Sequence, residues 1–560
     1  MVNPIRRMAR FLRPVFALDL RSLAVFRIGV AIVLLLDLAC RIADVPAFLT
    51  DDGILSRMLR LEMIVRNDPT GLDYQWSLHL GSGHAWAQYL LMAVAAWFAG
   101  WLLLGYRTRL AAVLSWMLLV SLGNRNPLIY DAGDAVLRSL LFWALFLPLG
   151  ARFSVDSRRV RGRSGTTLTG NRTKKSALSH VSFGSAALIL QLLIVYFGAA
   201  MFKFNPVWTH EFSGVYYALN CDPFATPFGI VVREFPLLMK VLTATTFFLE
   251  LGGPILILFP WWNRWIRAVL VTAFCMMHLG MAATMTLGLF PWICIVGWLA
   301  CLPDLCWDRW WPAVRRRIER RWPRVFNPQE PGVEPSAAAF EPAPRAPRRS
   351  QFEPFPHRRF SCRRCWIAVK RVKWSYLRKG ALQILVAGLL FYAVLWNLRD
   401  VAEDRVARRI MPDRMNSLAC VLGLEKGWSM FAPVPPREDG WPIFKGILRD
   451  GTEVNLWQPD EPIPWNKPRV VSALYRNQRW RRYLENLMMD RYTLYRPYFA
   501  DWLHTRWNRT RARGNSAREV VTVEILRQLE TTPPPGEPFP IPETIVLWTK
   551  HYGESVETAR

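Results

Sequence analysis

VSFGSAALILQLLIVYFGAAMFKFNPVW, residues 181–208, decides how the rest of the chain is read. From Val181 to Phe202 it carries no acidic or basic side chain. At about 1.5 Å per helical residue, a run of about twenty apolar residues crosses the hydrocarbon of a bilayer. The run then delivers a lysine, Lys203, followed at once by Asn205, Pro206 and Trp208. An ammonium at that depth is costly unless it snorkels out to the headgroups or faces a polar cavity.

Similar runs recur along the 560 residues and give about nine expected spans. They lie near 22–42, 85–104, 110–123, 135–150, 181–203, 236–260, 268–284, 286–303 and 381–398. The third and fourth are short for a crossing and could be tilted or broken around NRNPLIYDAGD (124–134). The first is no cleavable signal, because Arg27 and Asp37 interrupt it and further spans follow. The fold class expected is an all-α polytopic membrane bundle with a small extracytoplasmic α+β C-terminal domain. Residues 1–21 form a basic arm, 22–305 the membrane domain, 306–380 a basic, Pro-rich linker, and 399–560 the tail beyond the ninth span.

The net charge of +28 would suggest nucleic acid in a soluble chain, but here the basic residues fall in blocks between apolar runs. Arg6, Arg7, Arg10 and Arg13 precede the first span, and GYRTR, ARFSVDSRRVRGRSGTTLTGNRTKK, WWNRWIR and WPAVRRRIERRWPR follow the even-numbered ones. The connections in between are acidic or nearly neutral. This alternation predicts a cell-membrane protein with a cytoplasmic amino terminus and an extracytoplasmic tail. The bilayer is thus the partner that composition implies, and no nucleic acid is. FNPQEPGVEPSAAAFEPAPRAP, within 325–360, reads as a disordered linker. In the tail, GWPIFKGIL and TEVNLW flank Arg449-Asp450-Gly451, a hairpin signal, and EVVTVEIL and ETIVLW read as strands. One helix is expected around WRRYLENLMMDRYTLYRPYFADWLHTRW. The nine cysteines are scattered; the one close pair, Cys362 and Cys365, sits in an Arg-rich loop without a second pair, so no metal site is expected.

Ionisable groups inside apolar spans are where function is sought, with polar contacts between helices as the plainer reading. Arg27 and Asp37 are too far apart on one helix to pair, whereas Asp134 and Arg138 are spaced for a helical ion pair. Glu250 lies midway along the sixth span, just before Gly252, Gly253 and Pro254. Lys203 falls at the outer end of the fifth span, and His278 about 9 Å below the outer end of the seventh. Both could reach one cavity open to the outer face, where a lysine partly stripped of water could act as a general base.

RSLAVFRIGVAIVLLLDLACRIADVPAFLTDDGIL, GYRTRLAAVLSWMLLVSLGNRNPLIYDAGDAVLRSLLFWALFLPLGARFSVD and VYFGAAMFKFNPVW resemble the bacterial HTTM (horizontally transferred transmembrane) family. That family is related to vitamin K-dependent gamma-glutamyl carboxylase. The resemblance covers roughly 15–305, and GWSMFAPVPPREDGWPIF is similar to a segment that follows the membrane domain in bacterial members. It implies Lys203 as the base that deprotonates reduced vitamin K or menaquinol, with Trp208 in the matching aromatic position. It also implies His278, in MMHLGMAATMTLGLFPW, as a second catalytic residue. Oxygen would then give an epoxide and a strong alkoxide base that prepares glutamate of a protein or peptide for carboxylation, in a pocket poor in water. There are departures. Asn126 stands where the carboxylase has a histidine and can orient a substrate but hold no titrating proton. Phe202 replaces a lysine, and the tail is small. Epoxidation without carboxylation, or neither, remains open. Trp208 reads most safely as an interfacial anchor, or else as a pocket wall. The rival class is a non-catalytic scaffold or lipid-handling component working through its tail. Transport is a third, without an inverted repeat to support it. No Walker loop, dinucleotide glycine pattern or HExxH is present.

Overall fold

The computed structural model describes residues 4–67, 75–164, 178–321, 362–402, 406, 409–424, 428 and 430–552. The stretch 325–360 expected as a linker lies outside them. Among the described residues, six helices are long and apolar enough to cross a membrane. They are α1 (Leu20–Ile42), α2 (Ala85–Leu104), α5 (Phe183–Phe202), α6 (Pro236–Ile257), α7 (Asn263–Thr284) and the Gly380–Arg399 part of α9 (Cys362–Val401). By helix length and hydropathy the chain is a multi-pass membrane protein.

Three of the expected spans fall short. They correspond to α3 (Thr108–Arg125), α4 (Ala132–Ala144) and α8 (Phe290–Leu299). The 13 residues of α4 reach about 20 Å, well under the ~30 Å of hydrocarbon. From Gly133 to Ala144 every residue of α4 is buried. An apolar helix enclosed by protein reads in sequence like one facing lipid. Helices α4, α5 and α8 pack together, with α1, α2 and α3 along one side and α6 and α7 along another. Large apolar side chains such as Trp97 on α2, Leu237 and Phe248 on α6 and Val269 on α7 stay exposed, as a lipid-facing surface requires.

Local chemistry sets the helix ends. Asp19 caps α1, and Ser182 with Ser185, and Asp131 with Asp134, form capping boxes on α5 and α4. A two-residue antiparallel pair, β1 (Leu18–Asp19) with β2 (Ser179–His180), joins the starts of α1 and α5. Arg27, fully buried in α1, donates to the carbonyls of Leu149 (3.2 Å) and Phe153 (2.6 Å), closing the turn that ends the α4 region.

By its contacts the chain divides into two units, Met1–Pro303 with Leu389–Arg560, and Asp304–Gly388. The second holds the basic helix Trp311–Arg321 and the first part of α9. Cys362 and Cys365 open that helix instead of lying in a loop; the basic run 362–378 continues without a break into the apolar one.

The tail carries an antiparallel sheet in the order β4-β3-β5-β6, from β3 (Glu438–Leu448), β4 (Glu453–Asn455), β5 (Val520–Thr531) and β6 (Glu543–His551). β3 and β4 pair across the expected turn, with Gly451 at φ 85°, where a side chain would be strained. The single helix expected near 480–507 is two, α10 (Gln478–Met488) and α11 (Arg496–Trp507), separated by a 3₁₀ turn. Pro497 is the cause, since it fits only a helix's first turn. The tail has a small apolar cluster of its own, Trp441, Ile443, Val471 and Leu526, but its larger core is shared. Phe444, Trp480, Tyr483 and Phe499 share one apolar cluster with Phe48, Leu55 and Leu128 of the helical bundle.

Ion pairs fasten the same junction. Asp134 does not pair with Arg138; it takes Arg41 of α1 (2.9 Å) and Arg479 of α10 (2.7 Å). Arg479 also bonds Asp37 (2.8 Å) and the Ile129 carbonyl (3.0 Å). A second cluster lies where β3 meets the 221–233 segment. Asp222 pairs with Arg233 (2.7 Å) and Lys467 (2.5 Å), Lys467 also with Glu530, and Asp439 accepts from the Asp222 backbone (2.6 Å). Burial, and then the Asp222 carboxylate, push the Asp439 carboxyl up to about 7.

Arg479→Met should cost about 3–5 kcal/mol, because it leaves buried carboxylates facing Arg41 alone; thermal unfolding in detergent measures the loss. Asp439 makes stability depend on pH. An unfolded aspartate loses its proton near pH ~4, while the folded carboxyl holds it to about 7. Stability should therefore fall as pH rises through that window and level off above it, and Asp439→Asn should flatten the fall.

Candidate functional site

Helix α5 ends where its ionic residue begins. Lys203 is the C-cap, its N–H bonded to the Ala200 carbonyl (2.9 Å), and Asn205 then caps the turn Pro206–Thr209 by accepting from the Val207 N–H (3.1 Å). This reversal explains the Asn-Pro-Val-Trp sequence (205–208) after the lysine: it folds Trp208 back over the amine. The Trp208 ring centre lies 4.6 Å from Lys203 Nζ, a cation–π distance.

Lys203 does not snorkel. It is 4% exposed, and its Nζ lies 2.5 Å from Oε2 of Glu250 on α6. Glu250 is 6% exposed and lies 14 residues into α6, about 21 Å from the helix start. The two meet because the segment after Lys203 does not leave the bundle. Its helix Gly214–Asn220 packs along the first half of α6, and the Val215 N–H bonds Thr243 Oγ1 (3.0 Å). A Cβ on Gly214 would come within 2.6 Å of the Trp208 ring, so glycine is needed for this closure. Pro254, four residues after Glu250, offers no N–H to the Glu250 carbonyl.

His278 sits on α7, 1% exposed, with Nε2 2.7 Å from the Tyr196 hydroxyl of α5. Its Nδ1 has no partner among the described residues. Phe274, Trp298 and Phe290 enclose the pair, with Phe274 and Trp298 stacked at 4.1 Å. Tyr196 and Lys203 are seven residues apart on α5, hence on one face and about 10 Å apart along the axis. One strip of α5 therefore carries both centres, the Tyr196–His278 pair facing α7 and the Lys203–Glu250 pair facing α6. A small cavity among Ser139, Gln191, Val195, Tyr196 and Cys294 adjoins the first, with room for about one water.

The structure thus brings Lys203 and Trp208 into direct contact and joins His278 to the same helix through Tyr196. Trp208 is no interfacial anchor: at 2% exposure it is buried. Its ring is packed by Val207, Tyr217 and Phe247, and Nε1 is buried without a partner among the described residues. Asn126 belongs elsewhere. Its Oδ1 accepts from the Leu128 N–H (3.1 Å) and its amide donates to the Phe48 carbonyl (3.1 Å), beside the tail. Glu250 and Tyr196 are the residues that sequence reasoning missed as partners. The seven-residue spacing of Tyr196 from Lys203 was a usable signal; Glu250, midway along its span, carries no local sign that it lies level with the end of α5.

Comparison of the chain with protein-family models, with curated proteins and with solved structures finds no match. Among the described residues no group of three or more His, Cys, Asp or Glu stands close enough to hold a metal ion.

Lys203→Met alone should destabilise by about 3–5 kcal/mol by stranding the Glu250 carboxylate, whereas Lys203→Met with Glu250→Met should recover most of that loss. Melting temperatures of the three proteins in one detergent test it.

Proposed function

We propose that this multi-pass protein is a membrane enzyme of the vitamin K-dependent carboxylase type, whose buried pair at Lys203 removes a proton from a lipid-soluble hydroxylated substrate. The observation that carries the reading is the enclosed Lys203–Glu250 contact under Trp208, on the α5 strip that also holds Tyr196–His278. The donor set suits a reduced quinone. Lys203 and Glu250 offer a cation and a proton acceptor, Trp208 a flat face, and Trp208 Nε1 and His278 Nδ1 are buried polar atoms still to be matched. A reduced quinone bound there would supply an acidic hydroxyl and, with oxygen, the oxidation. Lys203 and Glu250 handle the proton, His278 is held in place by Tyr196, and the surrounding aromatic rings exclude water. Phe204 and Phe248, exposed beside the buried Phe247, offer an apolar approach from the lipid. The basic connections support a cytoplasmic amino terminus, which puts the C-cap of α5 on the outer side. Whether a peptide glutamate is carboxylated is a separate step, which the small tail does not favour.

The scaffold reading has one observation in its favour, the core that the tail shares with the bundle. Because that core is continuous, deleting the tail would damage both roles, and point substitutions are needed to separate them. Purified protein given reduced vitamin K or menaquinol should consume oxygen and form epoxide. Lys203→Ala should lower the rate by at least ~100-fold. An unchanged rate in Lys203→Ala, with folding verified by its melting curve, would leave the scaffold reading in place.

A further inference from the structure

The Lys203–Glu250 pair has a chemical asymmetry. Lys203 Nζ bonds Oε2 only, and Oε1 of Glu250 accepts no hydrogen bond among the described residues. Nζ meets no second oxygen there, and the Trp208 ring centre lies 4.6 Å from it. An ammonium bound to a carboxylate has no lone pair with which to accept a proton. The free basic position in the resting pair is a carboxylate oxygen.

We propose that Glu250 is the terminal proton acceptor of this site, and that Lys203 remains an ammonium holding the negative charge left on the ligand oxygen. The inference rests on the reading above that a hydroxylated, lipid-soluble ligand reaches the pair. The step balances. The ligand O–H bond breaks, a carboxyl O–H bond forms on Glu250, and the electron pair stays on the ligand oxygen beside Lys203 Nζ. The electrostatic argument is that one ion pair is exchanged for another. Before the step the ammonium faces a carboxylate, and after it the ammonium faces the deprotonated ligand, so no lone charge is created in a site excluded from water. A neutral lysine acting alone would instead have to create two charges there. Pro254 fits this role, since it leaves the Glu250 carbonyl without a helical N–H and makes this the one point of α6 interrupted by proline.

The test uses the full chain in detergent with menaquinol as the probe and two readouts. Difference infrared spectra on menaquinol binding without oxygen should show the carbonyl stretch of a newly protonated carboxyl. That band should be missing in Glu250→Gln, which keeps size and a hydrogen-bond acceptor for Lys203 but cannot be protonated. With oxygen admitted, Glu250→Gln should lose at least ~100-fold in epoxide formation with little change in KM, while Lys203→Arg, a permanent cation, should keep more than a tenth of the rate. Lys203→Met with Glu250→Met is the folded control that lacks both band and activity. The opposite pattern, an active Glu250→Gln and a dead Lys203→Arg, overturns the inference but not the enzyme reading. A band without epoxide from the wild type overturns the enzyme reading and leaves Glu250 as the acceptor. Epoxide without the band overturns the inference, and neither signal overturns both.

Discussion

A carboxylate buried between helices must be met by cations, and Asp134 is met by two, Arg41 from α1 and Arg479 from the tail. The architecture depends on this meeting. Arg479 can arrive only if α10 lies against the opening of α4, and α10 is held there by Asn486, which bonds the Leu128 carbonyl, and by Trp480, which bonds Asp44. The charge cluster and the shared apolar core therefore specify the same docking. Burying such charges is of doubtful net benefit to stability, but leaving one unmatched is costly, so the cluster penalises every other placement of the tail.

Much of this was legible in the sequence where a short-range pattern dictates the outcome. The long apolar runs gave the six crossing-length helices, and Asp450-Gly451 between alternating residues gave the β3–β4 hairpin. What periodicity could not separate is an apolar helix in lipid from one in protein, and α4 is the clearest case. Its Leu137, Leu140 and Leu141 are buried by neighbouring helices, at 2%, 1% and 0% exposure, so its hydropathy reports packing and not membrane. The basic run into α9 was misread for a different reason. Arg and Lys are good helix formers, and charge alone does not make a loop.

The candidate site was legible in its residues but not in its pairing. Lys203, Trp208 and His278 could be selected because polar groups are rare at the ends of apolar runs. Their partners depend on how the chain between α5 and α6 is laid down. A depth count assumes that this connection leaves the membrane; instead, helix Gly214–Asn220 lies along α6 and brings mid-helix Glu250 level with the end of α5. Asn126 shows the converse error. It was selected by alignment to a histidine, yet its amide serves a 3₁₀ turn beside the tail.

The two buried charge centres differ in a way that bears on their roles. In the Arg479 cluster each carboxylate oxygen of Asp37 and Asp134 has a donor: Arg479 and Arg41 for Asp37, and Arg41, Arg479 and the Asp131 N–H for Asp134. Such saturation leaves no position at which a further group could bind or a proton could land, and it is what a structural joint requires. At the end of α5 the pairing is incomplete. Glu250 has an oxygen that accepts no hydrogen bond among the described residues, and Trp208 has a buried N–H and His278 a buried ring nitrogen without partners there. Native interiors rarely tolerate several such vacancies together, because each costs free energy in every molecule that folds. Buried polar atoms without partners among the described residues also occur on α10, at Tyr483 and Asn486. The reason to look for chemistry at Lys203 and for architecture at Arg479 is therefore that the first pairs with a carboxylate that keeps a free oxygen, whereas the carboxylates around the second are saturated.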